Sequence, residues 1–255
     1  MLSKNRVKSV RALAMKKERD QLGLFVAEGP KLVAELWQKF RVSYVAATSS
    51  WLKENAALVH SLREVDEVSE EELRRVSLLQ HPQSVLAVME KPRESGWEAD
   101  VPAHELCLAL DDVQDPGNVG TILRLPDWFG IHHVWCSPQT ADVYGPKVVQ
   151  ATMGALARVE VRTENLEPML ASVGSEVPVY GTFLDGDNLY AQHLEQRGII
   201  VMGNEGKGIR PAVARMVSRR LLIPGYPEGQ SKVESLNVAM ATAIVCAEFR
   251  RRAGQ

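Results

Sequence analysis

Short apolar runs alternate with amphipathic and charged segments along the whole of this chain. Three runs in its first third have the length and composition of buried strands: residues 24–28, 43–47 and 85–89. Residues 31–37 have apolar positions at helical spacing, and Ser69 followed by Glu72 is the pattern of a helix capping box. The pattern predicts a small α/β domain at residues 1–95.

A charged segment with two prolines and a glycine, residues 90–104, separates this region from the rest. Its residues 96–104 are interpreted as a linker because they lack periodicity. Beyond it, strands are predicted at residues 106–110, 134–137, 156–161, 178–183, 198–203 and 220–224. A long helix is predicted from Leu236 to about Arg252. Strands separated by helices need crossover connections, so residues 105–255 are predicted to form a second α/β domain with a mostly parallel sheet.

Composition fits two globular domains, since the 255 residues are 45% hydrophobic and 24% charged. The start of the chain lacks the apolar segment of a signal peptide, and no apolar run approaches the length of a membrane span. Cys107, Cys136 and Cys246 are far apart in apolar segments, which suits a reducing compartment. We therefore expect a cytoplasmic protein without membrane contact.

Charge is unevenly distributed, although the net charge is only −2. Residues 1–40 carry nine Lys or Arg against four acids, and residues 206–227 carry five bases and no acid. Basic patches on a near-neutral protein suit a polyanion, but locally basic helix surfaces are also common. The patches therefore indicate nucleic acid only where a second signal does.

Motifs of the common nucleotide-binding and hydrolytic enzymes are absent from the sequence. The glycine-rich residues 203–208 have neither the spacing of a dinucleotide fingerprint nor the flanks of a phosphate-binding loop. His132 and His133 are adjacent on a predicted strand and point to opposite faces, which does not suit a metal site. No metal is predicted.

Three polar clusters stand at the carboxyl ends of predicted strands, where open α/β sheets bind ligands. They comprise residues 115–124, residues 203–208, and Ile223-Pro224 with residues 234–239. Each has a structural alternative: Asn118 as a helix cap, the second cluster as an ordinary turn, and Ser235 as the cap of the last helix. Their joint occurrence favours a ligand site.

These clusters resemble the three motifs of the SpoU/TrmH family of RNA ribose methyltransferases, within the SPOUT class. The matching residues are Asn118, Gly120, Arg124, Gly203-Asn204-Glu205-Gly206, Ile223, Pro224 and Ser235-Leu236-Asn237. The resemblance covers the chain from Leu106 onward and includes residues 146–149. The N-terminal region is similar to the substrate-binding domain of the family, in which Ser3, Asn5 and residues 25–29 have counterparts.

The resemblance implies an S-adenosylmethionine-dependent RNA (ribose-2′-O-)-methyltransferase that acts on ribosomal or transfer RNA, with ribosomal RNA preferred, and that needs no metal. It implies a homodimer and a C-terminal deep trefoil knot, a rare exception to unknotted topology, preceded by a small α/β RNA-binding domain. Loops of the knot would hold the cofactor, and the corresponding residues here are Thr182, Gly203, Asn204, Gly206, Ile223 and Leu236. Glycine suits such loops because the backbone must approach the ligand closely.

The resemblance implies five catalytic residues: Arg124, Asn118, Glu205, Ser235 and Asn237. A guanidinium is effectively never deprotonated in a protein. We therefore interpret Arg124 as a clamp for an RNA phosphate and the developing alkoxide, and not as the general base. Asn118 would hold Arg124 or the ribose, and Glu205 would orient Arg124 or receive the proton. Ser235 and Asn237 would position the nucleotide.

The sequence departs from the family directly after Arg124, where Leu125 is followed by Pro126. A proline inside a helix costs ~3 kcal/mol, so we expect a helix that is kinked or restarts there and ends at Gly130. Two other functions stay open at this point. One is a catalytically silent knotted RNA-binding dimer, and the other is a SPOUT enzyme that methylates a base nitrogen.

Overall fold

A computed structural model describes residues 2–92, 99–227 and 235–253. The protein divides into two compact units: Met1–Arg93 with Asp142–Arg158, and Glu94–Ala141 with Val159–Gln255. Residues 142–158 lie in the predicted second domain, but they belong to the first unit of the structure. Residues 96–98 of the predicted linker lie outside the described residues, and its last four residues form a short helix of the second unit.

The strands are β1 (Leu24–Glu28), β2 (Val42–Ala47), β3 (Val65–Glu67), β4 (Val85–Glu90), β5 (Leu106–Leu110), β6 (His133–Cys136), β7 (Glu160–Thr163), β8 (Val179–Asn188), β9 (Gly198–Met202) and β10 (Arg219–Leu222). The α-helices are α1 (Lys4–Ala12), α2 (Lys16–Leu22), α3 (Pro30–Trp37), α4 (Ser49–Glu54), α5 (Ala56–Val59), α6 (Glu70–Val76), α7 (Val101–His104), α8 (Pro116–Phe129), α9 (Pro146–Thr152), α10 (Leu166–Ala171), α11 (Pro211–Ala214) and α12 (Val238–Arg252).

The first unit is built on a mixed four-stranded sheet in the order β1-β4-β2-β3. β4 runs antiparallel to β1 and β2, while β2 and β3 are parallel. The apolar runs correctly predict β1, β2 and β4, and the Ser69 capping box is present at the start of α6. The apolar pattern does not predict β3, because this three-residue strand has no buried position.

Residues 142–158 are fixed in the first unit by a buried ion pair and by aromatic packing. Arg19 is 3% exposed, and its Nε donates to Asp142 Oδ2 at 3.0 Å. The same guanidinium donates to two backbone carbonyls of the α1–α2 connection. The Tyr144 ring lies 5.1 Å from that of Phe25, centroid to centroid. Parts of the chain that are distant in sequence therefore share one core.

The second unit is built on a six-stranded sheet in the order β10-β8-β9-β5-β6-β7, and every adjacent pair is parallel. This confirms the predicted α/β class with a parallel sheet. β5 and β9 are buried at every position, which explains why both read as uninterrupted apolar runs. Because the strands are parallel, their carboxyl ends meet at one edge of the sheet.

Two predicted strands have different bounds. The strand expected at residues 156–161 is wrong in its first half, because Ala155–Ala157 is a 3-10 turn of the first unit and β7 begins only at Glu160. β8 is longer than expected, and its register against β10 shifts: Arg220 pairs with Gly181, but Leu221 pairs with Asp187. Residues 182–186 therefore leave the ladder as an extended bulge.

Helix α8 begins at Pro116 and runs through Pro126 without a restart. Its cap is Asp115, whose Oδ1 accepts the Asn118 N–H at 2.7 Å, so the reading of Asn118 as the cap is wrong. Gly130 ends the helix in the left-handed region with φ 62°, as predicted. Pro126 lies near this end of the helix. Its missing N–H removes one backbone hydrogen bond, and few helical residues follow it.

Helix α12 begins at Val238, two residues later than predicted. Asn237 is its cap, because its Oδ1 accepts the N–H groups of Ala239 and Met240 at 3.0 and 3.3 Å. The reading of Ser235 as this cap is therefore wrong. Within the three described ranges, no helix is long and apolar enough to cross a membrane.

Candidate active site

A chain of side-chain hydrogen bonds connects the three polar clusters of the second unit. Asn118 Nδ2 donates to Glu205 Oε1 at 2.6 Å, and Asn118 Oδ1 accepts from Asn237 Nδ2 at 3.0 Å. Asn118 comes from the first turn of α8, Glu205 from the turn after β9, and Asn237 from the start of α12. Three of the five predicted catalytic residues therefore meet at the carboxyl edge of the parallel sheet.

The turn that carries Glu205 is held by Asn204 and by close backbone packing. Asn204 Oδ1 accepts the N–H groups of Gly206 and Lys207, and its Nδ2 donates to the Asp112 carbonyl at 2.8 Å. A Cβ on Gly203 would lie 2.4 Å from the backbone carbon of Gly208, so this position admits only glycine. The atoms that would collide with a side chain at position 203 therefore belong to the backbone of the turn itself.

An ion pair that sequence reasoning missed fixes the far end of this turn. Asp111 is fully buried directly after β5, and its carboxylate accepts from Arg210 N at 2.8 Å and Arg210 Nε at 2.7 Å. Arg210 Nη1 lies 3.1 Å from Glu167 Oε1, while Nη2 is buried and has no partner among the described residues. Burial by itself would lower the pKa of Arg210, but the hydrogen bond and charge of Asp111 raise it. The sequence signal that could have indicated this pair is Asp111, a charged residue directly after an apolar strand.

Arg124 lies apart from this network. It is exposed on α8 and makes no ion pair or hydrogen bond with another residue in the described part of the chain. It lies six positions after Asn118, which turns the two side chains about 120° apart around the helix. One turn further along α8, Trp128 is 84% exposed. In this structure Asn118 and Glu205 form a hydrogen bond with each other, and neither forms one with Arg124.

The remaining predicted cofactor residues lie in or directly after three neighbouring strands of the sheet. Thr182 lies where β8 leaves the ladder, Gly203 follows β9, and Ile223 follows β10. Thr182 is half-buried, with Oγ1 3.9 Å from Met202 Sδ. Ile223 is half-buried, and Leu236 is 49% exposed. Ile223 and Leu236 offer apolar side chains, which suit the adenosine of S-adenosylmethionine.

Ser235 is exposed and forms no side-chain hydrogen bond within the described ranges. The histidines lie elsewhere: His132 and His133 are near Glu105 at the amino-terminal edge of the sheet, with N···O distances of 3.4 and 3.9 Å. The described residues contain no group of three or more His, Cys, Asp or Glu side chains that could hold a metal ion.

The second unit thus has the form of an open parallel α/β protein whose ligand loops stand at the carboxyl edge of the sheet. The chain belongs to the SpoU rRNA Methylase family, whose sequence profile matches residues 105–247. A second profile, that of the MRM3-like substrate binding domain, matches residues 4–87. The two matches fall on the two parts of the chain that the sequence analysis separated.

Individual relatives are similar over nearly the whole chain. The 23S rRNA (guanosine(2553)-2′-O)-methyltransferase of Bacillus subtilis is 30% identical and covers 96% of each chain. A Porphyromonas gingivalis structure, described as an RNA methyltransferase of the TrmH family, is 45% identical with a TM-score of 0.88 over 99% of each chain. An AdoMet-bound rRNA methyltransferase from Sinorhizobium meliloti is 31% identical with a TM-score of 0.87, over 99% of this chain and 96% of that one.

Proposed function

We propose that this protein transfers the methyl group of S-adenosylmethionine to the 2′-hydroxyl of a ribose in RNA, with ribosomal RNA preferred over transfer RNA. The observation that carries the proposal is the hydrogen-bonded chain Glu205–Asn118–Asn237, which joins the three motif loops. Relatives named as 23S rRNA 2′-O-methyltransferases support both the reaction and the choice of ribosomal RNA.

The reaction forms a bond between the 2′-oxygen and the methyl carbon, breaks the carbon–sulfur bond and releases the hydroxyl proton. S-adenosylmethionine supplies a methyl group that is activated by the positive charge on sulfur. The protein must orient the hydroxyl and receive its proton. We assign proton acceptance to Glu205, because Asn118 holds one of its carboxylate oxygens and leaves the other without a partner among the described residues.

We assign Arg124 to the RNA phosphate beside the target ribose and to the developing alkoxide. Its exposed guanidinium has no internal partner in the described ranges, so its donors are available to an anion from solution. A group that stays positively charged cannot take up the proton. The two tasks therefore fall to different residues, Arg124 for the anion and Glu205 for the proton.

Asn237 and Ser235 are assigned to the target nucleotide. Asn237 is well oriented for this role, because its oxygen caps α12 and its nitrogen donates to Asn118. Ser235 precedes it by two residues and exposes its hydroxyl at the same loop. Both residues would place the ribose without taking part in proton transfer.

Cofactor binding is assigned to Thr182, Gly203, Asn204, Gly206, Ile223 and Leu236. We also infer the deep trefoil knot of the SPOUT class for the C-terminal segment. The strand order β10-β8-β9 and the packing of α12 on α8 are compatible with such a knot. Backbone groups at the bulge of β8 and in the loops after β9 and β10 would then surround the cofactor.

A homodimer is part of the proposal. Met240 in the first turn of α12 is 60% exposed, Leu236 just before that helix is 49% exposed, and Trp128 on α8 is 84% exposed. Exposed apolar groups of this size on two packed helices suit an interface with a second copy of the chain. Equilibrium sedimentation tests this part directly, and a monomer at micromolar concentration would contradict it.

RNA binding is assigned to the domain predicted at residues 1–95, to which the fold adds residues 142–158, and methyl transfer is assigned to the rest of residues 105–255. Several basic residues of the RNA-binding domain are used internally, since Arg6 pairs with Glu64, and Arg11 donates to backbone carbonyls. Exposed lysines without a partner in the described ranges are left for RNA: Lys4, Lys8, Lys17 and Lys31. A cytoplasmic location stays a prediction of the sequence.

The proposed function is tested by two measurements on the full chain. Calorimetry should detect binding of S-adenosylmethionine, and the protein should transfer labelled methyl groups to protein-free ribosomal RNA. Mapping the product should locate the label on a ribose. A protein that does not bind S-adenosylmethionine would favour the silent RNA-binding dimer, and label on a base nitrogen would identify a different SPOUT activity.

A further inference from the structure

The first unit contains a cavity of about 430 Å³ at one edge of its sheet. The cavity lies where β2 and β3 end and where β4 begins, and these three chain ends meet because β4 runs antiparallel to β2. Its volume is within the ~300–1,000 Å³ of ordinary ligand sites. The substrate-binding profile covers every residue that lines it.

Polar groups without internal partners line this cavity. The side chains of Ser49, Gln83 and Ser84 make no hydrogen bond with any other residue in the described ranges. Two hydroxyls and one amide together offer both donors and acceptors. Beside them, Val68 and Leu73 are almost fully buried and contribute an apolar wall.

The charges at the cavity cancel. Arg74 and Glu70 both line it, and they form an exposed ion pair with an N···O distance of 3.6 Å. A phosphate would therefore meet a carboxylate as well as a guanidinium, and the site has no net positive charge to compensate its desolvation. The lining suits a neutral group that has an apolar face and a polar edge.

A nucleobase has this chemistry, and RNA-binding domains recognise unstacked bases through their polar edges and their faces. We infer that the cavity binds one unstacked nucleobase from a single-stranded or bulged segment of the RNA substrate. The inference rests on the proposed function for the identity of the substrate. It adds a specific contact that the exposed lysines of this unit do not supply.

The test uses the full chain with protein-free large-subunit ribosomal RNA as the probe. Ser49→Tyr fills the cavity, and the double variant Gln83→Ala/Ser84→Ala removes its polar groups without adding volume. Each should weaken RNA binding about tenfold, the effect expected for one lost base contact. Ser61→Tyr, an equally large change at an exposed position outside the cavity, should leave RNA affinity unchanged.

Calorimetry with S-adenosylmethionine and thermal melting should give wild-type values for the double variant, even if Ser49→Tyr folds poorly. Photo-cross-linking of 4-thiouridine-substituted RNA should label the segments at residues 48–50 or 82–84. Wild-type RNA affinity in the double variant would overturn the inference. Inorganic phosphate that displaces RNA from the wild type but not from the double variant would show an anion site in the cavity, and free nucleosides that bind as tightly as RNA would show a nucleoside site; either overturns the inference.

Failure of this inference and failure of the proposed function are distinguishable. A wild-type protein that transfers no methyl group would contradict the proposed function, whereas cavity-dependent RNA affinity in that protein would still support the inference. Conversely, full methyl transfer and full RNA affinity in both cavity variants would contradict the inference alone.

Discussion

Arg210 and Arg124 lie in two regions of the second unit that differ in whether the fold supplies a partner for the arginine. Arg210 is anchored by a fully buried carboxylate and fixes the end of the turn that carries Glu205. Arg124 is exposed and has no internal partner in the described ranges. The fold therefore holds the turn that carries Glu205, the proposed proton acceptor, without any help from a substrate. Arg124, the proposed anion-binding group, would obtain its partner only from the substrate.

The largest expected effect comes from the anchored arginine. Arg210→Ala would leave the buried Asp111 carboxylate without its cation, which should lower the free energy of unfolding by about 3 kcal/mol. Chemical denaturation of both proteins measures the loss. Arg215→Ala removes an exposed arginine of the same segment and should change stability by less than ~0.5 kcal/mol. Equal stability of the two variants would show that Arg210 is not an anchor.

Arg124→Ala should lower the turnover and leave the stability unchanged. Turnover should fall by ~10²-fold or more, the scale seen when one oxyanion donor is lost, while thermal stability and S-adenosylmethionine affinity stay at wild-type values. Single-turnover rates and calorimetry separate these quantities. Arg215→Ala again serves as the matched control and should keep full activity.

Arg124→Lys distinguishes the clamp from a general base. A lysine keeps the positive charge but loses the planar, two-pronged geometry, so a clamp should retain weak activity with the pH dependence of the wild type. A lysine that acted as a base would gain activity as pH rises through its own lower pKa. A new alkaline ionisation in the rate profile of this variant would refute the clamp.

Breaking the hydrogen bonds that connect the three loops should have a smaller effect. Asn118→Ala removes the hydrogen bonds to Glu205 and Asn237, and we expect about a tenfold loss of turnover with a stability loss of ~1 kcal/mol. Asn237→Ser can still cap α12 but cannot donate to Asn118, so its stability should stay within ~0.5 kcal/mol of wild type. Unchanged turnover in both variants would show that the connection has no part in the reaction.

Pro126→Ala should have the smallest effect. Helix α8 already passes through this position, so an alanine can restore one backbone hydrogen bond and should stabilise the protein by up to ~1 kcal/mol. Thermal melting of the variant measures this gain. A clear loss of stability would mean that the buried Pro126 ring contributes more through packing than the missing N–H costs.

The sequence predicted most of the framework, because buried parallel strands are uninterrupted apolar runs and because Ser69 with Glu72 is a local signal. It also identified the motif residues that meet at the carboxyl edge. It could not show which partner each residue takes. Asp111 and Arg210 are 99 positions apart, and their pairing depends on how two loops meet across the sheet.

The errors have similar causes. Asn118 reads as a cap, but Asp115 already occupies that position, which leaves the Asn118 side chain free to connect the loops. The first half of the strand expected at residues 156–161 is wrong because the apolar residues there belong to the first unit and not to the parallel sheet. Apolar residues show that a segment is buried, but not which core it joins.

The placement of residues 142–158 has a consequence for biosynthesis. The first unit cannot complete its core until residue 158 has left the ribosome, well after its own sheet has been translated, because Asp142 and Tyr144 supply partners for Arg19 and Phe25. A single cut in the linker therefore cannot separate the two units, because each consists of two stretches of the chain. If a gene fusion or truncation cut the chain near residue 95, the N-terminal product would lack residues 142–158 and could not complete its core. The C-terminal product would carry those residues without the unit on which they pack.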